Sequence, residues 1–185
     1  VLERGGFLLH VVIPEKSAGP APIIMMETFC PWWDAMPHEG VARPDDAQSM
    51  EEGFLGAVAS YVFGRYICTP PYEDILDRGY AVASLFPSSV APDQADAGLA
   101  ELRRLSQGHE GDETRWGAVA AWSWLYSRMT DAFEADDRFD KSAFIAWGHS
   151  RYGKAALYAA AYDERIDGVI AHQSGTGGAS LNRDK

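Results

Sequence analysis

"WGHSRYGKAAL", residues 147–157, follows an apolar run, "SAFIAWG" (142–148), and opens an alanine-rich segment. Two readings compete for it. Gly148, Gly153 and Lys154 fit most of the phosphate-loop pattern G-x-x-x-x-G-K-[ST], while Ser150 stands two residues after Gly148, where a strand-to-helix turn carries a nucleophile. A phosphate loop needs Ser or Thr after the lysine to hold magnesium, and small residues inside the loop so that backbone N–H groups can wrap phosphate oxygens. The position after Lys154 is Ala155, and the interior, His149 to Tyr152, is bulky. The phosphate reading is therefore set aside.

A nucleophile elbow needs a small residue two places before the serine so that the tight turn closes without a clash, and Gly148 supplies it. The usual second glycine would fall at position 152. Tyr152 stands there, with Gly153 one place later, so the generic G-x-S-x-G pattern is not met. A serine that merely caps the following helix is the competing explanation. The neighbours favour the elbow. Arg151 and Lys154 both fall in the first turn of the expected helix "RYGKAALYAAAY" (151–162), where the helix dipole makes each cation cost roughly 0.3–1 kcal/mol unless negative charge lies nearby. An oxyanion formed on an acyl carbon attacked by Ser150 would provide that charge, with the Arg151 N–H as its expected backbone donor.

The same alternation of strand and helix extends outward from the elbow. "GGFLLHVVIP" (5–14), "PIIMMETF" (22–29), "GYAVASLF" (79–86), residues 142–148 and "DGVIAHQS" (167–174) are apolar runs that suit buried parallel strands. "DETRWGAVAAWSWLYSRMTDAF" (112–133) predicts a helix capped by Asp112, with Trp122, Tyr126, Met129 and Phe133 packing along one face. Ala155, Ala156, Ala159 and Ala160 let the helix after the elbow lie close to a sheet. Repeated strand–helix–strand units predict an α/β domain, mostly parallel, with helices on both faces. Residues 31–60 form a polar, proline-containing excursion that either borders a site or decorates the surface.

Composition limits the partners. The 185 residues are 46% hydrophobic and 12% aromatic, enough for one sizeable core, so a single domain over 1–185 or part of one is expected. A formal net charge of −11 disfavours nucleic acid and anionic membranes. No apolar stretch approaches the roughly 20 residues of a membrane-spanning helix, and the opening "VLERGGFLLHVVIP" lacks the order of features of a signal peptide. Cys30 and Cys68 give neither a disulfide framework nor a metal spacing, so no cofactor and no metal are expected.

Three blocks in order carry a family resemblance: "RGYAVAS" (78–84), "WGAVAAWSWLYSRMTDAF" (116–133) and "GHSRYGKAALYAAAYDERIDGVIAHQSGTGGASLNR" (148–183). They resemble the glucuronoyl esterases, particularly the bacterial branch, whose elbow reads G-x-S-R-x-G-K and whose next strand ends in a segment matched by Ser174 to Ala179. The resemblance implies an α/β-hydrolase fold and hydrolysis, through an acyl-enzyme, of a small-molecule or polysaccharide ester of 4-O-methyl-glucuronic acid, as in lignin–carbohydrate links. It implies Ser150 as nucleophile, Arg151 in the oxyanion hole through backbone and side chain, and Lys154 binding sugar hydroxyls. A secreted or periplasmic location is suggested by the same resemblance.

Three departures bear on it. Gln173 stands where many members have a glutamate, "TFCPWWDAMPHEG" (28–40) replaces an Asn-His-containing loop, and no histidine follows Ser150 in the elbow-hydrolase order except His172. His172 reads as a structural or supporting residue, His10, His38 and His109 precede the elbow, and His149 points elsewhere on the turn. These 185 residues are accordingly expected to be the N-terminal portion of a hydrolase domain, with acid and base beyond Lys185. Another carbohydrate or acyl esterase with the same elbow, and a non-catalytic α/β-hydrolase-like binding protein, stay open.

Overall fold

A computed structural model describes residues 6–38, 40, 41, 43, 45, 67–106 and 116–180. In chain order the elements are β1 (His10–Val12), β2 (Ala21–Glu27), α1 (Trp32–Ala35), α2 (Tyr72–Asp77), β3 (Ala81–Leu85), a 3-10 turn (Pro87–Ser89), α3 (Ala95–Leu105), α4 (Ala118–Glu134), β4 (Phe139–His149), α5 (Arg151–Tyr162) and β5 (Gly168–His172). The five strands form one sheet in the order β1-β3-β2-β4-β5. β2, β3, β4 and β5 run parallel, as expected of buried runs joined by crossover helices.

The first run departs from expectation. Only His10–Val12 of residues 5–14 form a strand, and it pairs antiparallel with β3. Its residues are half-buried, because a strand at the sheet edge has one neighbour instead of two.

Both faces of the sheet are covered. Ile23, Met25, Ala83, Phe144 and Ala146 meet α4 and α5 on one face, where Trp122, Tyr126, Met129 and Phe133 of α4 are buried as the helical spacing predicts. Ile24, Met26 and Trp147 face the other way, against Ile75 of α2 and Tyr80. This is the layered, mostly parallel architecture of an α/β-hydrolase. Among the described residues no helix is long and apolar enough to cross a membrane.

α4 begins at Ala118 with Gly117 at its N-cap. Asp112, the expected cap, lies outside the described residues, as do His109 and positions 46–60 of the long excursion. Helices α2 and α3 were not legible as periodic apolar runs. α2 buries none of its residues. α3 carries Leu99, Leu102 and Leu105 at helical spacing but buries only Gly98 fully, with Leu102 packed against the core from a polar, charged segment.

α4 also sets the end of β4. The Tyr126 hydroxyl donates to the Trp147 carbonyl at 2.6 Å, tying the helix to the last turn of strand before the elbow. Burial holds the Tyr126 phenol well above its ordinary range, so it remains a donor.

Candidate active site

Ser150 lies between the last residue of β4, His149, and the first of α5, Arg151. Its backbone has φ 54° and ψ −117°, a combination that costs a non-glycine residue on the order of 1–3 kcal/mol. Two bonds over-determine it. The Ser150 N–H donates to the His172 carbonyl at 2.9 Å, and the Ser150 carbonyl accepts from the Lys154 N–H at 3.2 Å. A serine that only capped a helix would accept a first-turn N–H with its side chain; here there is no side-chain cap bond. The side chain is instead left partly exposed at the carboxyl edge of the sheet.

The glycines explain how the turn closes. A Cβ on Gly148 would lie 2.2 Å from both the carbonyl carbon and oxygen of Tyr152 and 2.6 Å from the Gly153 nitrogen. Gly153 does the work expected of a glycine at 152: its Cβ would lie 2.8 Å from the Gly148 carbonyl oxygen and 3.0 Å from the Ser174 Cβ. Tyr152 is tolerated because its ring turns into the core, 4.4 Å from the Phe29 ring and 5.1 Å from that of Trp122. Burial raises its phenol pKa, keeping it protonated. The Ser174–Ala179 segment thus packs directly on the start of α5, and the Ser174 hydroxyl accepts the Ala179 N–H at 2.8 Å.

The two cations of the first turn differ. Arg151 Nη1 donates to both carboxylate oxygens of Asp93, at 2.6 and 2.8 Å, and the guanidinium lies over the Phe29 ring, 5.7 Å from its centroid. Negative charge beside the helix start is therefore built into the fold as the Asp93 carboxylate, in addition to the charge a reacting oxyanion would bring. Lys154 has no ion pair among the described residues. The backbone N–H of Arg151 opens the helix, where no intrahelical acceptor exists, and is free to face an incoming anion. Arg151 and Asp93 also line a cleft of about 380 Å³ with Leu99, Leu102, Ala118 and Trp122. An apolar groove of about 400 Å³, between Val90, Leu105, Trp116 and Trp124, contains none of the elbow residues.

His149 and His172 sit at adjacent strand ends, with their Nδ1 atoms 3.2 Å apart. One must donate and the other accept, so the pair is consistent with the supporting role expected of His172. His149 is nearly buried, and its pKa is lowered by burial first and by His172 second. Gln173, immediately after, adopts φ 46°. Among the described residues no cluster of three His, Cys, Asp or Glu side chains could hold a metal ion.

Sequence reasoning missed Asp93, Phe29 and Glu27. Glu27 ends β2 directly beside Gly148 in the register; it is 1% exposed, and both its carboxylate oxygens lack a hydrogen-bond partner among the described residues. Burial raises its pKa well above the ordinary glutamate range. Its signal in the sequence was one charge closing an otherwise apolar run, "IIMME".

Comparison with known proteins adds a second line. The family model described as "Glucuronyl esterase, fungi" matches residues 81–184, more than half of the chain. The chain belongs to the glucuronoyl esterase family. A carbohydrate esterase from an unknown prokaryotic organism is 34% identical over 113 residues, covering 60% of this chain and 26% of that protein. The 4-O-methyl-glucuronoyl methylesterase of Hypocrea jecorina is 34% identical over 126 residues, covering 62% and 27%. Among solved structures, a glucuronoyl esterase from Solibacter usitatus superposes with a TM-score of 0.75 at 34% identity, over 95% of this chain and 45% of that one. One from Teredinibacter turnerae gives 0.64 at 28%, over 95% and 38%. The chain thus spans about a quarter of the curated relatives it matches, 26% and 27% of their lengths.

Proposed function

We propose that this glucuronoyl esterase family chain carries the nucleophile and oxyanion half of a serine esterase acting on esters of 4-O-methyl-glucuronic acid. The observation that carries the reading is the strained backbone of Ser150, held at φ 54° between a strand and a helix start. The name of the Hypocrea jecorina relative, a 4-O-methyl-glucuronoyl methylesterase, supports the substrate class.

In this mechanism the Ser150 Oγ adds to the ester carbonyl carbon while its proton passes to a histidine base. Elbow hydrolases supply that base and its acid partner in the chain order nucleophile, acid, histidine. The carbonyl oxygen becomes an oxyanion, which the Arg151 N–H and guanidinium receive. Collapse of the tetrahedral intermediate breaks the ester C–O bond, and the alcohol leaves with the proton from the histidinium. Water then adds to the acyl-enzyme by the same path, releasing the uronic acid and restoring the Ser150 hydroxyl. Lys154, without a carboxylate partner among the described residues, donates to sugar hydroxyls.

The test is Ser150→Ala in the full-length protein, assayed on methyl 4-O-methyl-glucuronate. Turnover is expected to disappear while the unfolding transition is retained. A folded variant with near-normal turnover would remove Ser150 as nucleophile.

A further inference from the structure

We propose that Asp93 is a positioning residue for catalysis: it orients the Arg151 guanidinium at the point where the oxyanion forms, with Phe29 as the surface on which the guanidinium rests. This rests on the role given to Arg151 under Proposed function. Three parts of the chain converge to build the arrangement. Asp93 lies in the segment before α3, 58 residues ahead of Arg151; Phe29 follows β2; and Arg151 opens α5.

The geometry fixes one end of the guanidinium and leaves the other end available. Nη1 is engaged by both oxygens of Asp93. The ring contact with Phe29, at 5.7 Å, restrains the guanidinium plane. Phe29 is itself wedged, 4.4 Å from the Tyr152 ring and 6.0 Å from the His149 ring, the residues on either side of the Ser150–Arg151 pair. An arginine carries five N–H donors, so anchoring Nη1 leaves donors on Nη2 and Nε that can point at a ligand from a fixed stem. Unanchored, a long side chain at the mouth of a cleft would sample many rotamers, and few would place a donor within reach of the reacting oxygen.

Asp93 has two opposed effects on that reaction. Its negative charge weakens the field of Arg151 at the oxyanion, whereas its bond to Nη1 orders the donor. The pair is partly exposed, 49% for Arg151 and 24% for Asp93, so solvent screens part of the first effect while the second is unaffected by screening. Orientation is therefore expected to dominate, and removal of Asp93 should lower the rate.

The experiment is steady-state kinetics of the full-length protein on methyl 4-O-methyl-glucuronate for Asp93→Asn, Asp93→Ala, Arg151→Ala and the double variant. Asp93→Asn keeps the shape of the side chain and guards against a simple folding defect. Both Asp93 variants are expected to lose about tenfold in kcat with KM nearly unchanged, and Arg151→Ala about 100- to 1,000-fold. The double variant should match Arg151→Ala alone, because Asp93 acts only through the guanidinium. Asp93 variants with kcat unchanged or raised, beside a defective Arg151→Ala, would overturn the inference and leave the reading of Arg151 standing. So would an Asp93 loss that persists undiminished in the Arg151→Ala background. An Arg151→Ala variant with normal kcat would overturn both.

Discussion

Gly148→Ala should be among the most damaging single-methyl additions in this protein, and its cost can be worked from the contacts of the added carbon. A Cβ there meets the Tyr152 carbonyl carbon and oxygen at 2.2 Å and the Gly153 nitrogen at 2.6 Å. Attractive carbon contacts lie at about 3.5–4.0 Å, so more than 1 Å of overlap must be relieved. All three atoms are backbone, fixed in the first turn of α5, and cannot swing aside as a side chain would. Overpacking of this kind costs roughly 1–3 kcal/mol in stability, and displacement of a reacting atom by about 1 Å can cost on the order of 100-fold in rate. Gly153→Ala, with its closest contacts at 2.8 and 3.0 Å, should be milder. Gly19→Ala, with nothing within 4 Å, serves as the control and should be nearly silent. Urea unfolding read beside turnover of a glucuronate methyl ester measures both terms. The ranking Gly148, then Gly153, then Gly19 is the expected outcome. A Gly148→Ala protein within about 0.5 kcal/mol of wild type and fully active would refute the account of how the elbow closes.

Lys154→Ala should act on binding: in the role proposed for it, Lys154 contacts sugar hydroxyls in ground and transition states alike, so KM for the glucuronate ester should rise with little change in kcat, and acetyl esters should be barely affected. An equal loss on both esters would remove the sugar-binding role. Glu27→Gln tests the buried carboxyl. Its folded pKa is raised by burial above the unfolded value, so the protonated acid's contribution to stability is complete below the ordinary glutamate range and is lost as pH rises through the raised value. The Gln variant does not titrate, so its stability relative to wild type should climb from about pH 5 upward. A stability difference that stays flat with pH, measured by urea midpoints across that range, would show that Glu27 titrates in the fold as it does in the unfolded chain and would refute the effect of burial.

Residues close together in sequence made the elbow and the helices beside it legible. Gly148, Ser150 and Gly153 lie within one turn, and Trp122, Tyr126, Met129 and Phe133 mark the buried face of α4 through a period set by the helix itself. The three blocks of family resemblance are local in the same sense. The sequence by itself thus determined the α/β class, the strand–Ser150–helix junction and which face of α4 is buried. Contacts between distant segments were left to the tertiary structure. Asp93 pairs with Arg151 across 58 positions, and Glu27 reaches Gly148 only because β2 and β4 are register partners. β1 turned antiparallel because its pairing is decided at the sheet edge and not by its apolar composition. Tyr152 could replace the usual glycine because Phe29 and Trp122 offer its ring a place in the core, while Gly153 fills the close approach to Gly148. A one-dimensional pattern reports which backbone conformation and which face a residue favours; which distant charge or ring meets it depends on how the sheet orders its strands.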